Sequence, residues 1–227
     1  MSRYGFSKIE RDVKKAIPNP KSPTPQTSTE LPSSPLSQFV LDYVKQKLPN
    51  KVLNHSLRVY LYSQAIINDQ FSNWDLDPEV IFVTSLLHDI GTTDENMTAT
   101  KMSFEFWGGI LSRDLILEET KNQEYADAVS EAIIRHQDLG ETGYITTLGL
   151  ILQIATILDN VGLNTHLIHE DTLNAVNKQY SRDGWLNCFA GAIDNENKLK
   201  PWGHTSSLGV NDFKNDVLNN KTKYEKL

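Results

Sequence analysis

The chain has 227 residues, enough for one large domain with appended segments and a sizeable hydrophobic core. Its 29 acidic residues exceed its 22 basic ones, and the net charge of -7 argues against nucleic acid and anionic membranes as partners. The single cysteine, Cys188, excludes an internal disulfide framework and indicates a reducing compartment, so we expect a cytoplasmic protein. Residues 1–15 are rich in charge, and no apolar run approaches the ~20 residues that a bilayer requires, so we expect neither a targeting nor a membrane segment.

Residues 1–36 form a Pro- and Ser-rich arm. Most of the prolines lie here, and this density predicts extended, polyproline-like chain rather than helix. The only apolar side chains between residues 15 and 35, apart from proline, are Ala16, Ile17 and Leu31. Such an arm needs a preformed groove, and a symmetric partner is a common source of one. We therefore expect a homodimer in which the arm contacts the partner subunit, the alternative being an arm packed on its own body.

Residues 37–227 carry helical spacing and helix punctuation, and we predict an all-α domain with a C-terminal helical extension. A first helix ends before Pro49, and a second runs over residues 54–69. Asp77 and Pro78 predict the start of a third helix, whose apolar run ends at Gly91. Further helices are predicted over residues 98–113, 121–137, 145–160, 170–180 and 184–194.

Polar residues interrupt apolar segments at three places. His55 lies in the second helix, His88 and Asp89 follow a run of apolar residues, and Asp159 follows another. A buried carboxylate costs several kcal/mol unless it is paired or bound to metal, so a shared divalent cation would explain both aspartates. Three or four ligands from three helices would leave room for water or substrate, as in a catalytic site.

The order His55, His88-Asp89, Asp159 resembles the signature of the HD-domain superfamily. The similar segments are NHSLRV at residues 54–59 and LLHDIG at residues 86–91. The resemblance implies an all-α metalloenzyme, usually a phosphohydrolase, with those four residues as metal ligands.

A finer resemblance is to the cyanamide hydratase family of fungi. It rests on the segments HSLRVY (55–60), LHDIGTT (87–93), SFEFWGG (103–109), IRHQD (134–138) and TILDN (156–160). The resemblance implies a zinc enzyme that adds water to the nitrile of its small-molecule substrate, cyanamide, and so forms urea. His136 is the one histidine between Asp89 and Asp159, so we expect one zinc ion per subunit, with Asp89 and His136 as catalytic residues. Activation of water by the metal and polarisation of the nitrile remain alternatives.

The aromatic residues Phe104, Trp107 and Trp185 are expected to line a small substrate site. The main alternative function is metal-dependent hydrolysis of a nucleotide or small phosphate ester, for which Arg58, Lys101 and Arg135 could hold the charge. A degenerate binding protein is the other alternative, but the intact ligand set argues against it.

Overall fold

The computed structural model describes residues 2–225, so Met1 and the predicted domain end at residue 227 lie outside the described residues. The described residues form eleven α-helices and one two-stranded sheet, as the all-α prediction requires. The strands are β1 (Lys8–Glu10) and β2 (Tyr144–Thr146). The helices are α1 (Val13–Ala16), α2 (Pro35–Lys47), α3 (Asn50–Gln70), α4 (Pro78–Leu87), α5 (Asp94–Ala99), α6 (Phe104–Thr120), α7 (Gln123–Ile134), α8 (Thr147–Val161), α9 (Glu170–Gln179), α10 (Trp185–Leu199) and α11 (Asp212–Leu218). None of the helices in this part of the chain is long and apolar enough to cross a lipid bilayer.

Helices α3, α4 and α8 form the centre of the domain. Helix α4 is buried on all sides from Val80 to Leu87, as expected of a helix that is apolar around its whole circumference. Helix α3 packs against both α4 and α8, while α2 and α7 also contact α4. The buried polar residues of these central helices are therefore held inside the core.

The start of α4 is confirmed, because the Asp77 side chain accepts a hydrogen bond from the Glu79 backbone and Pro78 occupies the first turn. The predicted end at Gly91 is wrong, since the helix ends at Leu87. A single 3₁₀ turn over Ile90–Thr92 follows, closed by the Thr92 N–H on the Asp89 carbonyl. This turn redirects the chain directly after the His-Asp doublet.

The helix predicted over residues 98–113 matches α6 from Phe104 onward, but its predicted start is wrong, because α5 and α6 are separate elements. The break between them is held by the C-terminal part of the chain. The first N–H of α6, at Phe104, donates to the Glu196 carboxylate at 2.7 Å, and the His204 N–H donates to Ser103 Oγ at 2.8 Å. Helix α11, for which we predicted no bounds within the C-terminal helical extension, packs against α8 and α10.

The N-terminal arm lies on its own domain in this structure. Strand β1 pairs antiparallel with β2, with Lys8 opposite Thr146. The Arg3 guanidinium forms an ion pair with Asp77 at 2.6 Å, and the Gln26 N–H donates to Thr172 Oγ1 at 2.8 Å. The arm also contains β1 and α1, so it is less uniformly extended than its proline content predicts.

Candidate metal centre

The centre of the domain brings three of the predicted ligands together. His55 lies on α3, while His88 and Asp89 follow the end of α4. His55 Nε2 is 3.2 Å from His88 Nε2 and 3.6 Å from Asp89 Oδ2, and His88 Nε2 is 3.2 Å from the same Asp89 oxygen. All three residues are at most 2% exposed. Two imidazole nitrogens and a carboxylate oxygen therefore form a compact triangle in the core.

This triangle has the dimensions of a metal site. Ligand atoms that surround zinc tetrahedrally at about 2.0–2.1 Å stand about 3.3–3.4 Å apart, close to the three separations given above. Two nitrogens and one carboxylate oxygen are also a donor set that zinc uses in catalytic sites, where the fourth position is left to water or substrate. The residues present thus fit a divalent ion.

Hydrogen bonds orient the two histidines for this role. The Nδ1–H of His88 donates to the Ser85 carbonyl at 2.7 Å, and the Nδ1–H of His55 donates to Asp159 Oδ2 at 2.6 Å. In the neutral form of each ring this leaves Nε2 unprotonated, and both Nε2 atoms face the triangle. Burial lowers the pKa of His55 to about 4, so this side chain is neutral at physiological pH and ready to bind metal.

Asp159 lies on the opposite side of the His55 ring, outside the triangle that the sequence predicted it would complete. Both of its oxygens are occupied by guanidinium groups as well as by His55. Arg58 donates to Oδ1 at 2.9 Å and to Oδ2 at 2.8 Å, and Arg182 donates to Oδ1 at 2.5 Å. These two arginines overcome the effect of burial and hold the pKa of Asp159 well below its usual range. The buried carboxylate is therefore balanced by positive side chains.

His136 lies beside the triangle, as the sequence predicted. Its Nδ1–H donates to the Ile133 carbonyl at 2.7 Å, which leaves Nε2 facing Asp89 Oδ1 at 3.8 Å. Burial lowers the pKa of His136, with His88 acting in the same direction. A neutral imidazole with a free nitrogen thus faces the second oxygen of Asp89.

Two of the three predicted aromatic residues contact this centre. The Trp185 indole stacks on the His55 ring with centroids 4.2 Å apart, and its Nε1–H donates to Asn160. The Phe104 ring meets His136 edge to face at 5.6 Å. Trp107 lies one turn further along α6 and is half-buried.

The sequence interpretation missed the roles that several residues play in building the site. Arg58 follows His55 by three positions and so shares its helix face, a spacing that could have identified it as a partner of Asp159. Arg182 lies in the turn before α10 without any comparable signal. Glu105, which is fully buried, was visible only within the segment that resembles the cyanamide hydratases.

This fold, with its His, His-Asp, Asp order, is that of an HD-domain protein, and the HD domain family model matches residues 52–161. Cyanamide hydratase DDI2 and cyanamide hydratase DDI3 of Saccharomyces cerevisiae are each 61% identical to it over 225 residues, which cover 99% of this chain and 100% of theirs. The chain therefore belongs to the cyanamide hydratase family of HD-domain enzymes. The crystal structure of a predicted HD superfamily hydrolase from an uncultured Thermotogales bacterium matches with 20% sequence identity and a TM-score of 0.44. The match covers 68% of this chain and 88% of that chain. That similarity is too low to add to the assignment.

Proposed function

We propose that this protein hydrates cyanamide to urea with one zinc ion bound by His55, His88 and Asp89. The observation that carries the proposal is 61% identity, over the whole length, to two proteins named cyanamide hydratases. The donor set and spacing of the His55, His88 and Asp89 triangle support zinc as the metal. When bound, such an ion supplies an acidified water and a positive charge that stabilises a developing anion.

His136 is the proposed acid–base residue. Hydration forms a bond between the water oxygen and the nitrile carbon, breaks a carbon–nitrogen π bond and places a proton on nitrogen. The unprotonated Nε2 of His136 accepts the proton that water releases and returns it to the nitrile nitrogen. A second proton then moves from oxygen to nitrogen, which yields urea with no net exchange of protons. The 3.8 Å between His136 Nε2 and Asp89 Oδ1 supports a shared role for these two residues.

Asp159 is the proposed positioning residue for His55. Its carboxylate fixes the His55 tautomer that presents Nε2 to the ion, a common arrangement around metal-bound histidines. If Asp159 were a fourth ligand, as the sequence predicted, its carboxylate would have to give up contacts with the guanidinium groups of Arg58 and Arg182. The aromatic side chains of Phe104, Trp107 and Trp185 are proposed to surround the substrate, so that only a small nitrile fits.

Hydrolysis of a phosphate ester is the weaker candidate, because the arginines that could hold a phosphate are already paired. Arg58 binds Asp159, and Arg135 lies 3.2 Å from Asp138 and 3.5 Å from Glu131. Lys101 is exposed at the surface. A phosphate dianion buried without new cationic partners would be costly, whereas cyanamide carries no charge.

We further propose that the protein acts in the cytoplasm as a homodimer. Reducing conditions in the cytoplasm fit its lone cysteine.

The exposed apolar side chains of Met102, Leu199 and Trp202 form one surface patch. Their two chain segments are held together because Trp202 donates a hydrogen bond to the Lys101 carbonyl and Lys200 donates one to the Met102 carbonyl. Such a patch is typical of an interface. Light scattering should give twice the chain mass, and Trp202→Ser should shift the protein towards monomer.

The proposed activity is tested with purified protein whose metal content has been measured by elemental analysis. We expect about one zinc per chain, release of urea from cyanamide, and no release of phosphate from a panel of nucleotides. His88→Ala, which removes a proposed ligand, should lose both zinc and activity. Rapid nucleotide hydrolysis without urea formation would favour the phosphohydrolase instead.

A further inference from the structure

Glu105 is a fully buried carboxylate with an unused oxygen. It lies in the first turn of α6, and its Oε1 accepts a hydrogen bond from His204 Nδ1 at 2.6 Å. Its other oxygen, Oε2, is buried and has no hydrogen-bond partner among residues 2–225. An unsatisfied buried acceptor is costly, so a structure that retains one invites a functional explanation.

The surroundings of Glu105 connect it to the proposed metal centre. The neighbouring Phe104 ring packs against His136, and the Phe104 carbonyl lies directly against Gly91, two residues after Asp89. A Cβ atom at Gly91 would lie 2.0 Å from that carbonyl oxygen, so α6 begins in close contact with the turn that follows His88 and Asp89. The Glu105 carboxylate also tends to raise the pKa of His136, against the larger effect of burial. Glu105 therefore lies in a helix turn that contacts the proposed metal centre, within range of an electrostatic effect on His136.

We propose that Oε2 of Glu105 accepts a hydrogen bond from the amino group of cyanamide and thereby selects amino nitriles over alkyl nitriles. The proposal rests on the function proposed above. Cyanamide is linear, so an amino group held at Glu105 leaves the nitrile directed away from that residue. The contact is one that only a substrate with an N–H donor can make.

The physical basis is the penalty for an unpaired buried acceptor. Acetonitrile has the shape of cyanamide but carries a methyl group where cyanamide carries its amino group. Binding of acetonitrile would seal Oε2 against a methyl group, with neither water nor a donor to satisfy it. Sites that are built to hydrogen-bond a substrate reject analogues that lack the donor far more strongly than apolar pockets reject a missing methylene.

Glu105→Gln isolates this contact. Glutamine keeps the length of the side chain and can still accept from His204 through its carbonyl, but it places an NH₂ donor where Oε2 was. The control is Glu118→Gln, which makes the same change of side chain at an exposed glutamate of the same helix. Melting temperature and zinc content are measured for both variants.

The assay compares KM for cyanamide with the competitive inhibition constant of acetonitrile. In Glu105→Gln we expect KM to rise about tenfold or more, with the inhibition constant changed less than about threefold. Glu118→Gln should leave KM within about threefold of the wild type. If Glu105→Gln does not fold, Glu105→Asp takes its place, since the shortened carboxylate should raise KM in the same way.

Three results would overturn the inference: an unchanged KM in Glu105→Gln, an equal rise in KM and in the inhibition constant, or a rise in KM that Glu118→Gln reproduces. The second would assign Glu105 a structural role, and the third would show that the effect is not specific to Glu105. Failure of the proposed function is separate, because it would appear as the absence of urea formation by zinc-loaded wild-type protein.

Discussion

Replacement of Asp159 by asparagine tests how the buried charges of the centre are balanced. In the wild-type protein one carboxylate faces two guanidinium groups, and Asp159, Arg58 and Arg182 are all at most 3% exposed. Asparagine keeps the shape of the side chain but removes its charge. Both arginines would then remain in the core without their main counter-ion.

The expected loss of stability is large. Removal of one partner from a buried ion pair costs about 3–5 kcal/mol, because the remaining charge is left uncompensated. For a chain of this size each kcal/mol lowers the melting temperature by about 2–4 °C, so a fall of roughly 6–20 °C is expected. Metal binding should also weaken, by about 10–100-fold, because an amide NH₂ facing His55 Nδ1 would favour the tautomer that protonates Nε2.

The assay is thermal melting of the metal-free protein, followed by zinc titration at a temperature where both proteins are folded. Asp183→Asn is the matched control, since Asp183 lies next to Arg182 in the sequence but is exposed. Its effect should remain within about 0.5 kcal/mol. A melting temperature for Asp159→Asn within 2 °C of the control would contradict the charge argument. Complete loss of zinc binding at saturating metal would instead restore Asp159 as a ligand.

Three further outcomes are expected. His136→Ala should retain about one zinc per chain while kcat falls about 10²–10⁴-fold; loss of the metal would make His136 a ligand, and two metals per chain would refute a single-ion site. Gly91→Ala should lower the free energy of unfolding by about 1–3 kcal/mol, because its Cβ would collide with the backbone at the start of α6. The control is Gly191→Ala in α10, whose Cβ would meet no atom within 4 Å among residues 2–225, so it should be neutral or stabilising. The hydrogen bond from His204 to Glu105 raises the pKa of His204 above its unfolded value, so its stabilisation is present below about pH 6.5 and lost as pH rises through the folded pKa. The free energy of unfolding, measured by chemical denaturation, should thus fall more between pH 6 and pH 9 in the wild type than in His204→Gln. Equal falls in the two proteins would contradict a stabilising role for this hydrogen bond.

The parts of the fold that were predictable depend on local signals. Asp77 and Pro78 start α4 through contacts within one turn. The residues that follow are mostly apolar on every face, so burial of the helix is predictable without knowing its neighbours. The break between α5 and α6 depends instead on distant residues. Glu196 accepts a hydrogen bond from the Phe104 N–H although the two residues are 92 positions apart, so no local sequence pattern could predict this contact.

The same distinction applies to the site. The His88-Asp89 doublet at the end of an apolar helix indicates a buried polar centre, and the structure brings both side chains together with His55. The N-terminal arm was harder to interpret, because its composition suits any preformed groove. Its hydrogen bonds to α3, through the Gln26 side chain, and to α9, through the Gln26 N–H, identify the groove as the domain's own surface.

Asp159 explains why chemistry alone could not complete the ligand set. An aspartate at the end of a buried helix needs positive charge, and a metal ion and a guanidinium group satisfy that need equally well. Arg58 lies three positions from His55 on the same helix, so its presence is compatible with either partner for Asp159, the metal ion or the guanidinium group. Arg182, the second guanidinium group on this carboxylate, lies in a Ser-Arg-Asp-Gly turn whose sequence is typical of the surface, yet it is buried in the fold. The sequence could therefore predict that Asp159 is balanced by positive charge, but the identity of its partner depends on a tertiary contact.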